Sequence, residues 1–200
     1  MSTITATPTL HRRALTQVGD LLAAVSPADL ARPTPCAGWD LAQLLAHMIG
    51  QNHGFADAAE SDVGIEAFAD RPVRDPAAQW AASATRVGDA LAAAVADGRT
   101  VLLAEFAAFG RIPAPTLLGM HLLDTVVHGW DVATALDRPH RPDDELVAAT
   151  LEIARTIPGG PTRTGPDATF GPIVPGEPDD PWELALHLVG RRPRPAGGAD

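Results

Sequence analysis

Four long segments of this chain repeat apolar residues at helical spacing, and residues that stop helices separate them. The segments cover residues 10–25, 41–60, 76–96 and 115–136. Apolar residues that recur every three or four positions form one face of an α-helix. Tyrosine is absent and aromatic residues make up only 4% of the chain, which disfavours strands. We therefore predict an all-α protein whose four long helices pack as a bundle.

The second helix has the clearest start. Asp40 is a good N-cap, and Gln43 follows three residues later, as in a capping box. Trp39 before the cap and Leu44 after it can form a hydrophobic staple. These signals predict that a helix begins directly after residue 40.

The C-terminal part predicts short extra helices, one at residues 143–157 and one at 181–188. Between them, residues 158–181 are rich in Gly and Pro and are expected to form a strap across the bundle surface. We predict a single domain over residues 1–190 and a disordered tail over residues 191–200.

Charge and cysteine content restrict the partners. The formal net charge is −10, every basic side chain is an arginine, and the arginines form no basic stripe along the sequence. We therefore expect neither nucleic-acid nor membrane binding. Cys36 is the only cysteine, which excludes an intrachain disulfide and favours the cytoplasm. No signal peptide is evident, and no apolar stretch approaches the ~18 residues of a membrane span. We expect a small-molecule substrate and a monomer or homodimer.

The fourth helix offers potential metal ligands. Asp124 and His128 are four residues apart, which places them on one face about 6 Å apart along the helix axis. His121 lies on the same face but about 10 Å from His128 along the axis, too far to share an ion easily. The spacing therefore leaves two pairs open, Asp124 with His128 or His121 with Asp124.

His47 stands in the middle of an apolar run in the second helix. A buried imidazole needs a hydrogen-bond partner or a metal. Together with a pair from the fourth helix, His47 would complete a site of two imidazoles and one carboxylate, as catalytic zinc and ferrous iron use. The competing interpretations are a structural core histidine at residue 47 and a solvated Asp–His ion pair on the fourth helix.

Two motifs carry a family resemblance. Residues 34–40 read TPCAGWD and residues 44–52 read LLAHMIGQN, while residues 124–131 read DTVVHGWD. Together with residues 170–172 and 188–193, these segments resemble the DinB-like superfamily. Within it they are most similar to the metal-binding N-terminal domain of mycothiol-dependent maleylpyruvate isomerases, in an actinobacterial branch. The resemblance covers nearly the whole chain and preserves the order of the motifs.

The resemblance implies an up-down four-helix bundle that binds a divalent metal, zinc in the first place, with nickel or iron as alternatives. The family's ligands fall on His47, Asp124 and His128, which selects the second pair over His121. The isomerases have glutamate where this chain has Asp124, and they carry a separate C-terminal domain that is expected to be missing here. A shorter carboxylate still chelates but would draw the ion towards the fourth helix.

Two functions follow as hypotheses. The first is a metal-dependent enzyme that uses mycothiol as cosubstrate in a transfer or isomerisation of a small electrophilic metabolite. The second is a non-catalytic, metal-containing protein for small-molecule binding or resistance.

For three further residues the sequence leaves both a functional and a structural role open. Cys36 is either a reactive thiol or fourth ligand, or a small buried loop side chain. Asp131 either orients a metal ligand or forms a surface ion pair, and His121 is either a proton shuttle or a packed histidine.

Overall fold

The computed structural model describes residues 6–103, 110–164 and 168–193. Six α-helices lie within these ranges, namely α1 (Pro8–Leu22), α2 (Leu41–Glu60), α3 (Pro76–Ala96), α4 (Ala114–Ala135), α5 (Asp144–Ala154) and α6 (Pro181–Leu188). Two short strands, β1 (Thr100–Val101) and β2 (Ile112–Pro113), pair antiparallel, with Thr100 opposite Pro113. The prediction of an all-α protein with short extra helices is confirmed. None of the described helices is both long and apolar enough to span a membrane.

The described chain divides into two compact units. Residues 6–140 contain α1 to α4, and the described residues from Arg141 onwards contain α5 and α6. The single domain over residues 1–190 stays a prediction. Of the tail predicted to be disordered, residues 194–200 lie outside the described residues.

The four long helices of the N-terminal unit share one apolar core. Helix α1 packs against α3 and α4, and α2 also packs against α3 and α4. Each helix contributes leucines that are at most 5% exposed, among them Leu15, Leu44, Leu91 and Leu118. This is the arrangement that the four predicted apolar faces require, because each face must be covered by another helix.

The start of α2 follows the predicted capping box. The backbone N–H of Gln43 donates to Asp40 Oδ1 at 2.8 Å, and the Asp40 N–H donates to Gln43 Oε1 at 3.0 Å. In contrast, α1 ends at Leu22 rather than near residue 25. Ser26 precedes a proline and adopts the extended backbone that such a position favours, and it starts the short 3₁₀ turn Pro27–Ala31.

Two glycines let the chain after α2 fold back onto that helix. A Cβ atom on Gly50 would lie 2.5 Å from the carbonyl oxygen of Ala69, and one on Gly54 would lie 2.3 Å from the Phe68 ring. The close approach is secured by the Arg71 N–H, which donates to the Ala46 carbonyl at 3.0 Å. The segment that contains Asp70 is therefore held beside α2.

In the C-terminal unit, Arg163 ties the Gly/Pro-rich segment together. Its side chain is 4% exposed and donates to the backbone carbonyls of Pro158 at 2.8 Å, Leu188 at 2.7 Å and Gly171 at 3.2 Å. Gly190, at φ +79°, passes so close to Gly171 that a Cβ would lie 3.0 Å away. Arg163 thus holds the segment that follows residue 158 by binding backbone carbonyls within the same unit.

Candidate metal centre

Three side chains with metal-ligating atoms converge between α2 and α4. His47 comes from α2, while Asp124 and His128 come from α4, and one ligand atom of each lies within 4.8 Å of the others. His128 Nε2 is 3.4 Å from Asp124 Oδ1. The rings of His47 and His128 stand nearly perpendicular, with centroids 5.5 Å apart. The side chains are 24%, 28% and 11% exposed, respectively, so solvent or a small ligand reaches the group.

His128 lies between two carboxylates. Its Nε2 faces Asp124, and its Nδ1 is 2.9 Å from Oδ2 of Asp131, whose side chain is fully buried. Burial disfavours the charged imidazole, but the negative charge of Asp124 and the hydrogen bonds to Asp124 and Asp131 outweigh it and raise the pKa of His128 well above its ordinary value. Without a metal, His128 is therefore a protonated imidazolium held from both sides.

The other two side chains are in the protonation states that a metal requires. Burial alone would raise the pKa of Asp124, but the nearby His128 and His47 lower it to about 2. Burial lowers the pKa of His47, and the charges of Asp124 and Asp70 only partly oppose this effect. At neutral pH the centre therefore offers an ionised carboxylate and a neutral imidazole.

Two neighbours flank His47. The Trp39 ring lies 4.9 Å from the His47 ring, centroid to centroid. Oδ1 of Asp70, on the segment folded back over α2, is 3.5 Å from His47 Nδ1. A carboxylate outside the group of three thus lies near Nδ1 of each histidine, Asp70 at His47 and Asp131 at His128.

The donor set fits a divalent ion. Two imidazoles and one carboxylate are the ligands of many zinc and iron centres with open positions. Asp131 on Nδ1 of His128 would fix the ring so that Nε2 faces the ion, as outer carboxylates do for metal-bound histidines. Metal binding itself stays a prediction.

Of the two pairs that spacing left open, the structure brings Asp124 and His128 together with His47. His121 is turned away into the core, where its Nε2 is 3.0 Å from Oδ1 of Asn52 and its Nδ1 is 2.7 Å from Nε2 of His11. His121 is thus a packed histidine with polar partners.

Asp131 and Cys36 both lie beside His128, and the sequence had left two interpretations open for each of them. Asp131 is buried against His128 rather than exposed, and its position three residues after His128 was the available signal. Cys36 Sγ lies 3.3 Å from Asp131 Oδ2 and 3.9 Å from His128 Nδ1. Of the two interpretations of Cys36, the structure places its thiol beside two side chains of α4, His128 and Asp131.

Comparison with known proteins decides the family. Residues 11–133 match the family model described as the mycothiol maleylpyruvate isomerase N-terminal domain. The chain belongs to this family. The match covers α2 and all but the last two residues of α4, and it includes all three side chains of the candidate centre.

Two relatives and one solved structure are also similar to this chain. Two uncharacterized proteins of Mycobacterium tuberculosis, from strains CDC 1551 / Oshkosh and ATCC 25618 / H37Rv, are each 32% identical over 165 residues. The aligned regions cover 82% of this chain and 86% of each relative. The crystal structure of a mycothiol-dependent maleylpyruvate isomerase matches with a TM-score of 0.54 and 18% identity, over 74% of this chain and 67% of that one. At that identity the match shows a common fold, and the predicted DinB-like fold is confirmed.

Proposed function

We propose that this protein is a divalent-metal-dependent enzyme that uses mycothiol as a thiol cosubstrate to transfer or isomerise a small electrophilic metabolite. The observation that carries the proposal is the convergence of His47, Asp124 and His128 in a member of the mycothiol maleylpyruvate isomerase N-terminal family. Zinc is the first metal to test, with nickel and iron as alternatives.

In this proposal His47, Asp124 and His128 hold the ion. When bound, a divalent ion would lower the pKa of a coordinated thiol and make a nucleophile available at neutral pH. Asp131 accepts a hydrogen bond from the Nδ1–H of His128 and keeps Nε2 directed at Asp124. The carboxylates of Asp124 and Asp131 offset the positive charge that collects there.

The surroundings suit a small ligand. Trp39 covers one side of His47 with an aromatic surface, and Asp70, with a side chain 59% exposed, is a carboxylate close enough to take part in proton transfer. Three part-exposed ligands leave room for a further donor, as in catalytic centres that keep a coordination position open.

The structural neighbour suggests the first compounds to test. It is a mycothiol-dependent maleylpyruvate isomerase, so mycothiol and maleylpyruvate are the first thiol and substrate to offer this chain. Conjugates of mycothiol with other small electrophiles are the second set of compounds to test, because the family match supports the use of mycothiol more than it supports one particular substrate.

The experiment compares zinc-loaded and chelator-stripped protein, purified without a polyhistidine tag. Calorimetry should detect mycothiol binding only in the loaded protein, and turnover should require both zinc and mycothiol. His47→Ala should lose turnover, whereas His53→Ala, on the same helix but outside the centre, should keep it.

Two results would contradict the proposal. Equal activity before and after chelation would remove the metal from the mechanism. Tight mycothiol binding without turnover of any of the compounds tested would indicate a carrier or resistance protein in place of an enzyme.

A further inference from the structure

Cys36, His128 and Asp131 form a second group of metal-ligating side chains beside the proposed centre. Their ligand atoms lie within 4.8 Å of one another. Cys36 Sγ is 3.9 Å from His128 Nδ1 and 3.3 Å from Asp131 Oδ2, and His128 Nδ1 is 2.9 Å from Asp131 Oδ2. Donor atoms around one tetrahedral ion with bonds of about 2.0–2.3 Å are about 3.3–3.8 Å apart, so the two sulfur distances fit and the His128–Asp131 hydrogen bond would lengthen on binding. The proposed function does not use Asp131 as a ligand and gives Cys36 no role.

The loop that carries Cys36 is anchored to the same helix that carries the other two side chains. Arg32, at the start of the loop, donates to the Ala135 carbonyl at the end of α4 and also pairs with Asp137. Within the loop, the Cys36 N–H donates to Thr34 Oγ1 at 3.2 Å. Two independent sets of contacts therefore fix the thiol opposite His128.

The loop also closes on itself. The Trp39 N–H donates to the Cys36 carbonyl at 3.0 Å, and Thr34 Oγ1 donates to the Trp39 carbonyl at 2.9 Å. Cys36 itself is half-buried. The thiol is thus held in a defined position within a part-exposed residue.

We propose that Cys36, His128 and Asp131 form a second, thiolate-containing metal site that takes soft divalent ions such as Cd²⁺. Thiolate ligands select soft ions, whereas the carboxylate and imidazoles of the first centre suit borderline ones. One sulfur, one nitrogen and one oxygen donor leave a position for water or an added thiol.

The two sites compete because they use opposite nitrogens of His128. An ion at the first centre takes Nε2 and leaves the proton on Nδ1, which faces Asp131. An ion at the second site takes Nδ1 and leaves the proton on Nε2, which faces Asp124 at 3.4 Å. A neutral imidazole has one acceptor nitrogen, so one chain holds one ion.

The protons balance for the second site. The Cys36 thiol releases its proton to solvent when sulfur becomes a ligand. The Nδ1 proton of His128 leaves as well, and the ring keeps a single proton on Nε2. Asp131 changes from hydrogen-bond acceptor to ligand without a change of charge.

The test is a titration of metal-free protein with Cd²⁺, followed by thiolate-to-metal charge-transfer absorption in the ultraviolet and by calorimetry. The charge-transfer band should saturate at one equivalent in the wild type. It should disappear in Cys36→Ser, which removes the sulfur and keeps the shape of the side chain. Circular dichroism of each variant checks that it is folded.

Three variants assign the remaining ligands. Asp131→Asn and His128→Ala should weaken Cd²⁺ binding about tenfold or more, since each removes a ligand. His47→Ala should leave the band and the affinity within about threefold, because His47 belongs only to the first centre.

The proposal is overturned if the wild type shows no charge-transfer band at one equivalent, or if the band survives His128→Ala at full affinity. It is also overturned if His47→Ala weakens Cd²⁺ binding as much as His128→Ala does, or if two ions bind per chain. None of these outcomes depends on mycothiol or turnover, so this proposal and the proposed function can fail separately.

Discussion

Two histidine clusters connect α2 with α4 in the N-terminal unit, and they are built differently. In the core cluster, His121 Nε2 is 3.0 Å from Asn52 Oδ1 and His121 Nδ1 is 2.7 Å from His11 Nε2. Asn52 then donates to Ser83 Oγ at 2.9 Å. The four side chains come one from each long helix and are at most 1% exposed.

The second cluster is the candidate metal centre of His47, Asp124 and His128. It is part-exposed and lies among carboxylates, with Asp131 on one histidine and Asp70 near the other. Ionised oxygens stabilise a positive charge there, whether it is a proton or a divalent ion.

The comparison teaches what makes a buried histidine a candidate ligand. Burial lowers the pKa of His11 to about 2, with a further lowering from the positive charges of His121 and Arg12, and burial lowers the pKa of His121 to about 4 although the charge of Asp124 opposes it. These rings stay neutral and serve packing. A histidine close to carboxylates and within reach of solvent is the better candidate, even though both kinds stand in apolar runs of the sequence.

The largest expected effect is on stability, from His121→Ala. The substitution opens a cavity in the core and removes hydrogen-bond partners of Asn52 and His11, which together should cost about 4 kcal/mol in the free energy of unfolding. Zinc affinity of the folded protein should stay within about threefold, because the clusters share no ligand. Urea unfolding and calorimetry measure the two quantities. A large loss of zinc affinity at unchanged stability would reverse the assignment of the clusters.

The second prediction concerns the pH dependence of unfolding of the metal-free protein. His11 and His121 titrate near 6.5 when unfolded but at about 2 and about 4 when folded, so below pH 6.5 the unfolded chain binds more protons than the folded chain. Stability should fall as the pH drops from about 6.5 to 4, by about 3 kcal/mol for His121 alone at 1.36 kcal/mol per pKa unit. Denaturant unfolding at a series of pH values measures the slope.

The control for this slope is the double variant His11→Gln with His121→Gln, which removes both titrating rings and keeps polar side chains in the network. Its stability should change much less over the same pH range. A slope that is identical in the variant would mean that other groups cause the loss of stability in acid.

The smallest effect is expected from the outer carboxylates of the metal centre. Asp131→Asn should lower zinc affinity about tenfold, because the buried carboxylate at 2.9 Å from His128 is replaced by a neutral amide. Asp70→Asn is the matched substitution on the other histidine. It should cost less than about threefold, since Asp70 is largely exposed and 3.5 Å away. The reverse order in calorimetry would show that Asp70, rather than Asp131, orients its histidine.

The helices could be predicted from the sequence, and so could the shared helix face of two of the three residues of the candidate metal centre. Apolar periodicity identified α2, α3 and α4, and the capping box placed the start of α2 because both depend on residues close together in the chain. The same applies to Asp124 and His128, whose spacing of four residues puts them on one helix face. The spacing left His121 with Asp124 open as a second pair, so the choice of Asp124 with His128 came from the family resemblance, as did the place of His47 beside them.

The contacts that loop residues make with the two histidines of the candidate centre could not be predicted. Asp70 reaches His47 because Gly50 and Gly54 admit the chain onto α2, and Cys36 reaches His128 because Arg32 ties its loop to the end of α4. Both contacts depend on tertiary packing, which no local pattern encodes. The partnership of His11 with His121 has the same origin, since it joins α1 to α4 across the core.

The most direct test of the account is the zinc-to-protein ratio after loading and desalting, measured in a Cys36→Ser background so that no thiolate can hold the ion. The background protein and its His121→Ala derivative should retain about one zinc per chain. In the His47→Ala and His128→Ala derivatives the zinc-to-protein ratio should be lower by about tenfold or more. If the His47 and His128 derivatives kept the full ratio, zinc would bind elsewhere and the centre between α2 and α4 would be no more than a set of hydrogen bonds and ion pairs.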